Sequence, residues 1–130
     1  MGPVRELRLV LTVDDFDAAV AFYRDALGLE EAHAWEAQAG RIAILAAGNA
    51  TLELVDEAQA NAIDTIEVGR RVAGPVRIAL EVADSAALGK QLEDAGAEVL
   101  GGPVETPWND RNVRLRAPDG MQLTLFTVLE

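Results

Sequence analysis

The chain is written twice. A shift of 69 residues lays Arg8 on Arg77, Leu11 on Leu80, Val13 on Val82 and Asp15 on Asp84. The same shift then lays Ala18 on Ala87, Asp25 on Asp94 and Ala26 on Ala95, with no gap over the whole stretch. Residue type, strand parity and helix cap agreeing at one offset mark an internal duplication. Such a chain folds as two copies of one unit, and the pocket between the copies is the natural place for a site.

The unit can be read from its periodicities. Leu7, Leu9, Leu11 and Val13 alternate with Arg8, Val10 and Thr12, as in a half-buried strand. Asp14 or Asp15 then caps a helix whose apolar face is Phe16, Val20, Tyr23 and Leu27, with Gly28 as its left-handed stop. Three strands come next at about Ala32–Gln38, Arg41–Ala46 and Thr51–Val55, with turns at Gly40 and Gly48–Asn49. In the second copy Ile78, Leu80 and Val82 form the buried side of the strand, Leu88, Leu92 and Ala95 the helix stripe, and Gly96 the stop. Its three strands lie at about Glu98–Leu100, Val113–Arg116 and Met121–Thr127, and Gly101-Gly102-Pro103 reads as a turn. The expectation is one α+β domain over residues 1–130, built as two tandem strand–helix–three-strand modules. Module one spans about 4–57, a linker about 58–74, and module two about 75–130; short helices are expected at Ala58–Ala62 and Ile66–Val72.

Composition removes several classes of function. With 130 residues, half of them hydrophobic, the chain can build a real core. A formal charge of −11 offers no basic footprint for nucleic acid. No cysteine is present, so there is neither a disulfide framework nor thiolate chemistry. No signal-like pattern opens the sequence and no apolar run approaches a membrane span, so a cytoplasmic protein without a membrane partner is expected. The single His33 has no nucleophile beside it, which rules out a Ser–His–acid set.

Strand parity says what faces the pocket. Each helix must cover the apolar side of its own strands, with Leu9 and Leu11 under the first helix, so the other side is free to form a cleft. Arg8, Val10 and Thr12 face it, as do Glu53 and Val55, then Arg77, Ala79 and Glu81, then Gln122, Thr124 and Phe126. Arg8 and Arg77 are related by the repeat, and Glu53 and Thr124 by a shift of 71, so these four positions converge.

Val13-Asp14-Asp15-Phe16 leading to Phe22-Tyr23-Arg24-Asp25-Ala26-Leu27-Gly28-Leu29 resembles the opening signature of the vicinal oxygen chelate superfamily. That group includes glyoxalase I, extradiol dioxygenases and bleomycin resistance proteins. Ala117-Pro118-Asp119-Gly120 resembles its closing Asp-Pro-Asp-Gly motif, and Thr106-Pro107-Trp108 a segment of the resistance-type members. The resemblance implies paired βαβββ modules, a U-shaped open sheet around a cleft, and a homodimer. It also implies that metal-dependent relatives carry two His (or Gln) and two Glu where this chain has Arg8, Glu53, Arg77 and Thr124. Arg offers no lone pair, so a divalent metal is not expected, and no other cofactor is.

Two accounts of the replacement stand side by side. Arg8 and Arg77 flanking Glu53 either close an ion-pair cluster of their own or hold a carboxylate or phosphate of a ligand. Trp108 either stacks on a flat ligand, plugs the sheet edge or packs in a dimer contact, and Trp35 lies either in the pocket or in a subunit contact. Asn112, Arg114 and Arg116 share one strand face, which either reaches the cleft or is solvated, the solvated reading being favoured, and His33 reads as a surface residue. The expected pocket is Arg8, Val10, Glu53, Arg77, Ala79, Trp108, Thr124 and Phe126. The leading function is a metal-independent binder of an antibiotic-like or metabolic small molecule. The alternatives are a metal-dependent or metal-free lyase, isomerase or dioxygenase of the same superfamily, with Glu53 the candidate base of the metal-free form, and a structural or regulatory dimer.

Overall fold

The structure is a computed structural model describing residues 2–36 and 40–130. Among these residues eight strands form one open sheet: β1 (Val4–Val13), β2 (Glu30–Glu36), β3 (Arg41–Ala47), β4 (Ala50–Asp56), β5 (Val76–Val82), β6 (Glu98–Glu105), β7 (Asp110–Arg116) and β8 (Gln122–Val128). Their order, β2-β3-β4-β1-β5-β8-β7-β6, reads the same from either end once the copies are exchanged. Within each copy the first strand runs parallel to the last, and β1 meets β5 antiparallel at the centre. The expected second strand begins earlier, at Glu30; Ala37 and Gln38, at its expected end, lie outside the described residues.

Among the described residues three helices accompany the sheet. The first, α1 (Phe16–Val20), is capped by Asp15, whose carboxylate accepts from Ala18 N–H at 3.0 Å. The third, α3 (Ser85–Asp94), is capped by Asp84, which accepts from Ala87 N–H at 3.0 Å. One hydrogen bond thus recurs at repeat-related residues, because the same cap chemistry opens both helices. Gly28 and Gly96 end them at φ of +88° and +113°, where a side chain would be strained. α1 widens over Ala21–Ala26 into a π-helical turn, in which Leu27 N–H reaches Phe22 C=O at 2.8 Å. The wider turn rotates Leu27 off the apolar stripe, leaving it 61% exposed, while Phe16, Val20 and Tyr23 stay on it.

The segment joining the copies departs most from expectation. In place of two short helices there is one, α2 (Glu57–Glu67), capped by Asp56 through Gln59 N–H at 2.8 Å. It buries Ala60 and Ile63 against the sheet, and with them the polar Gln59, Asp64 and Glu67. Gly101 and Gly102 lie within β6 instead of in a turn, because bare backbone is needed there: a Cβ on Gly101 would collide with the Glu67 carbonyl and sit 3.0 Å from Val68 Cα.

The core is divided accordingly. α1 covers Ala43, Leu45, Leu52 and Leu54, and α3 packs beside Val82, Val113, Leu115 and Leu125. On the opposite face α2 closes over Val10, Ile42, Ile44, Val55, Ala79 and Phe126. Leu11 reaches the α1 layer, whereas Leu9, expected there too, remains 37% exposed. No described helix is long and apolar enough to cross a membrane.

Candidate functional site

The face opposite α1 and α3 carries a cavity of about 390 Å³, lined from both halves of the sheet, by Trp35 of the edge strand β2 and by Asn112 of β7. Only a sheet curled round its own face can bring strands so far apart in order to one cavity. Of the eight expected pocket residues, Arg8, Glu53, Arg77, Ala79, Trp108, Thr124 and Phe126 line it. Val10 does not. It lies on the same face but is buried beneath Ala60 and Ile63 of α2, which sequence parity had no means of placing there.

The four converging positions split into two pairs. Arg8 Nη1 lies 3.6 Å from Glu53 Oε1, while Arg8 Nε donates to Glu6 Oε2 at 2.9 Å. Thr51 donates to the same Glu6 oxygen at 2.7 Å, and the Arg8 guanidinium stacks 4.9 Å above the Phe126 ring. Burial lowers the Arg8 pKa, but Glu6 and Glu53 raise it further, so the net direction is up. Arg77 does not flank Glu53 at ion-pair distance, as the sequence suggested; its Nη1 donates to Thr124 Oγ1 at 2.9 Å. The strand pairing explains this, because Ala79 is opposite Thr124 on β8, while Val10 is the residue opposite both Arg77 and Glu53. Burial lowers the pKa of Arg77, which Glu67 and Glu53 oppose.

Arg114 and Asn112 correct the expectation of a solvated face. Arg114 is fully buried. Its Nη1 donates to Asp64 Oδ1 at 2.8 Å and Gln122 Oε1 at 3.0 Å; its Nη2 and Nε donate to Glu67 Oε1 at 2.8 and 3.1 Å. Nε also reaches Thr124 Oγ1 at 3.1 Å, and Asn112 Nδ2 donates to Glu67 Oε2 at 2.7 Å. Asp64 further accepts from Arg71 at 3.0 Å and from the backbone N–H groups of Val72 and Ala73 at 2.7 and 2.8 Å. Only Arg116 of the three residues keeps a surface pair, with Glu98 at 2.9 Å. The Asp64–Glu67 pair was missed from sequence. Its signal was an i, i+3 pair of acids on the apolar side of a helix, legible only once α2 is known to be continuous.

Burial pushes the Asp64 carboxyl up, but the Ala73 and Val72 N–H groups and Arg114 outweigh it and hold the pKa below the ordinary value. A depressed carboxyl contributes stability that is fully present above its unfolded pKa of about 3.9 and is lost as pH falls through the folded value. Asp64→Asn is therefore expected to flatten the acid limb of a urea-stability profile below about pH 4. An unchanged limb would show that the carboxylate carries no such linkage. Asp110, at the rim, moves the other way: burial raises its pKa, and Arg8 and Trp108 oppose that only in part.

The donor set does not fit a divalent metal. Arg8 and Arg77 present no lone pair, Glu53 lies against Arg8, and Thr124 already accepts from Arg77 and Arg114. Among the described residues no group of three or more His, Cys, Asp or Glu converges. Trp35 and Trp108 stand at the mouth, 45% and 42% exposed, and His33 is both a surface residue and part of the rim.

The family model described as Glyoxalase/Bleomycin resistance protein/Dioxygenase superfamily matches residues 7–125. No curated protein matches the chain. Among solved structures, methylmalonyl-CoA epimerase from Mycobacterium tuberculosis is 21% identical with a TM-score of 0.70, over 99% of this chain and 91% of that one. A Streptomyces coelicolor methylmalonyl-CoA epimerase variant in complex with 2-nitronate-propionyl-CoA is 26% identical with a TM-score of 0.69, over 98% and 96%. A glyoxalase/bleomycin resistance protein/dioxygenase superfamily member from Vibrio splendidus is 14% identical with a TM-score of 0.63, over 95% and 98%.

Proposed function

The chain belongs to the glyoxalase/bleomycin resistance protein/dioxygenase superfamily, and on that premise we propose that it holds a small organic molecule, metabolite-like or antibiotic-like, in its cleft without a metal ion. The observation that carries this reading is the occupation of three of the four converging positions by Arg8, Arg77 and Thr124. Guanidinium groups recognise oxyanions and cannot coordinate a cation, so the scaffold is retained while the Lewis acid's place is taken by fixed positive charge. The cavity lies in the usual size range of ligand pockets, and Ile42, Ile44 and Phe126 supply its apolar wall.

Thermal shift with a panel of small organic molecules, beside calorimetric titration with nickel, zinc, iron(II) and manganese, tests it. Saturable stabilisation by a panel member and no heat from any metal are expected. Saturable metal binding, or a panel without any shift, would defeat the reading.

One observation favours a second reading, a metal-free isomerase or lyase. Asp110 lines the cleft with its pKa raised by burial, the direction a general acid–base needs; Glu53 is the other candidate. The 26% identity with an epimerase bound to an acyl-CoA analogue supports the same alternative. Turnover of offered acyl thioesters that disappears in Asp110→Asn or Glu53→Gln would establish it. The proposal includes a cytoplasmic homodimer. Val4, Leu7, Leu9 and Val76 support the pairing, being apolar and exposed together on the outer face of β1 and β5. Sedimentation at the mass of one chain would remove the dimer, and recovery from a membrane or secreted fraction the location.

A further inference from the structure

Two buried polar side chains in the cleft wall keep bonding capacity that the protein does not use. Arg77 is 7% exposed, and among the described residues its guanidinium makes one hydrogen bond, to Thr124 Oγ1 at 2.9 Å, and no ion pair. The neighbouring arginines each have a carboxylate in direct contact: Arg8, also in the cavity lining, has Glu6, and Arg114, behind it, has Asp64 and Glu67. Asn112 is 3% exposed, and its orientation is decided by its partner. A carboxylate only accepts, so the NH₂ group must face Glu67 Oε2 at 2.7 Å, which leaves Oδ1 a buried acceptor with no donor among the described residues.

The two open groups terminate one continuous network. Arg77 bonds Thr124, Thr124 Oγ1 lies 3.5 Å from Glu67 Oε1, and the other Glu67 oxygen holds Asn112. Both residues line the cavity, with the Asn112 oxygen itself buried in its wall. One end therefore asks for an oxyanion and the other for an N–H or O–H donor, within a single small molecule. The apolar side of the cavity, with Ile42, Ile44 and the Phe126 ring, asks for a hydrocarbon or aromatic body.

Resting on the proposed binding function, we infer that the cleft takes a small carboxylic acid bearing a hydroxyl or amino group near the acid. The carboxylate meets Arg77, the donor meets Asn112 Oδ1, and an apolar body lies along Ile42, Ile44 and Phe126.

Calorimetric titration of the whole chain with three matched probes tests this: 3-phenyllactate, 3-phenylpropionate, which lacks the donor, and 3-phenyllactamide, which lacks the charge. The hydroxy acid is expected to bind at least about tenfold more tightly than the amide, and about three- to tenfold more tightly than the acid without the hydroxyl. In Arg77→Gln the acid-over-amide preference is expected to fall to about one. Circular dichroism establishes that the variant is folded, and the probe series on the unaltered protein stands without it. An amide that binds as well as the acid, or a preference surviving in folded Arg77→Gln, overturns this inference while leaving the binding function intact. Silence from all three probes overturns it too; the wider reading falls only if the thermal-shift panel is also silent.

Discussion

Arg114→Ala is expected to lower the unfolding free energy by about 3–5 kcal/mol in urea titration at neutral pH. The size comes from the charges that stay behind. Arg114 is the shared partner of Asp64 and Glu67, all three nearly or wholly out of solvent, and it also bonds Gln122 and Thr124. Removing the guanidinium leaves two buried carboxylates facing each other's field, with Arg71 and two backbone N–H groups at Asp64 and Asn112 at Glu67 as partial relief. Arg116→Ala is the control from the same strand. Its pair with Glu98 is exposed, so a change within about 1 kcal/mol is expected. Equal losses in the two variants would show that the buried network is not what holds α2 in the cleft.

Gly101→Ala is expected to cost about 1–3 kcal/mol and to lower the melting temperature by several degrees. The added methyl would press on the carbonyl of Glu67 and on Val68 Cα, 3.0 Å away. Both are backbone atoms, so no rotamer change can make room. Either β6 or the end of α2 must shift, and a shift of α2 moves the Glu67 carboxylate that holds Arg114 and Asn112. Weaker binding of any cleft ligand should therefore accompany the lost stability. Gly74→Ala supplies the comparison, since a Cβ there meets nothing within 4 Å and its φ lies outside the left-handed region. There the melting temperature should hold or rise slightly. A Gly101→Ala protein as stable as the Gly74→Ala protein would mean that the close approach of β6 to α2 carries no constraint.

The legible part of the fold was the part dictated by local chemistry. Asp15 and Asp84 announce helix starts because a carboxylate placed before a helix satisfies free N–H groups wherever the chain goes next. The alternation in β1 and β5 put Arg8 and Arg77 on one face because successive side chains of a strand must point opposite ways. Leu27 was misplaced because its stripe assumed an α-helical period, and the π-helical turn over Ala21–Ala26 rotates the residue after it out of that register. For Arg114 and Asn112 the sequence left a cleft face and a solvated face both open and favoured the wrong one, because parity tells which face a residue occupies but not whether another element lies upon it.

By itself, the sequence determined that two copies of one unit share a sheet, that their open face carries Arg8, Glu53, Arg77 and Thr124, and that this set is a poor home for a metal. These conclusions need only residue type, spacing and repeat offset, which act over a few bonds or recur by duplication. The tertiary structure alone decided that the connecting helix enters the cleft and spends Asp64 and Glu67 on Arg114, leaving Arg77 and the Asn112 carbonyl open. Pairings across about fifty residues depend on where the backbone brings two charges together, because Coulomb attraction has no sequence register; only the folded chain sets the distance.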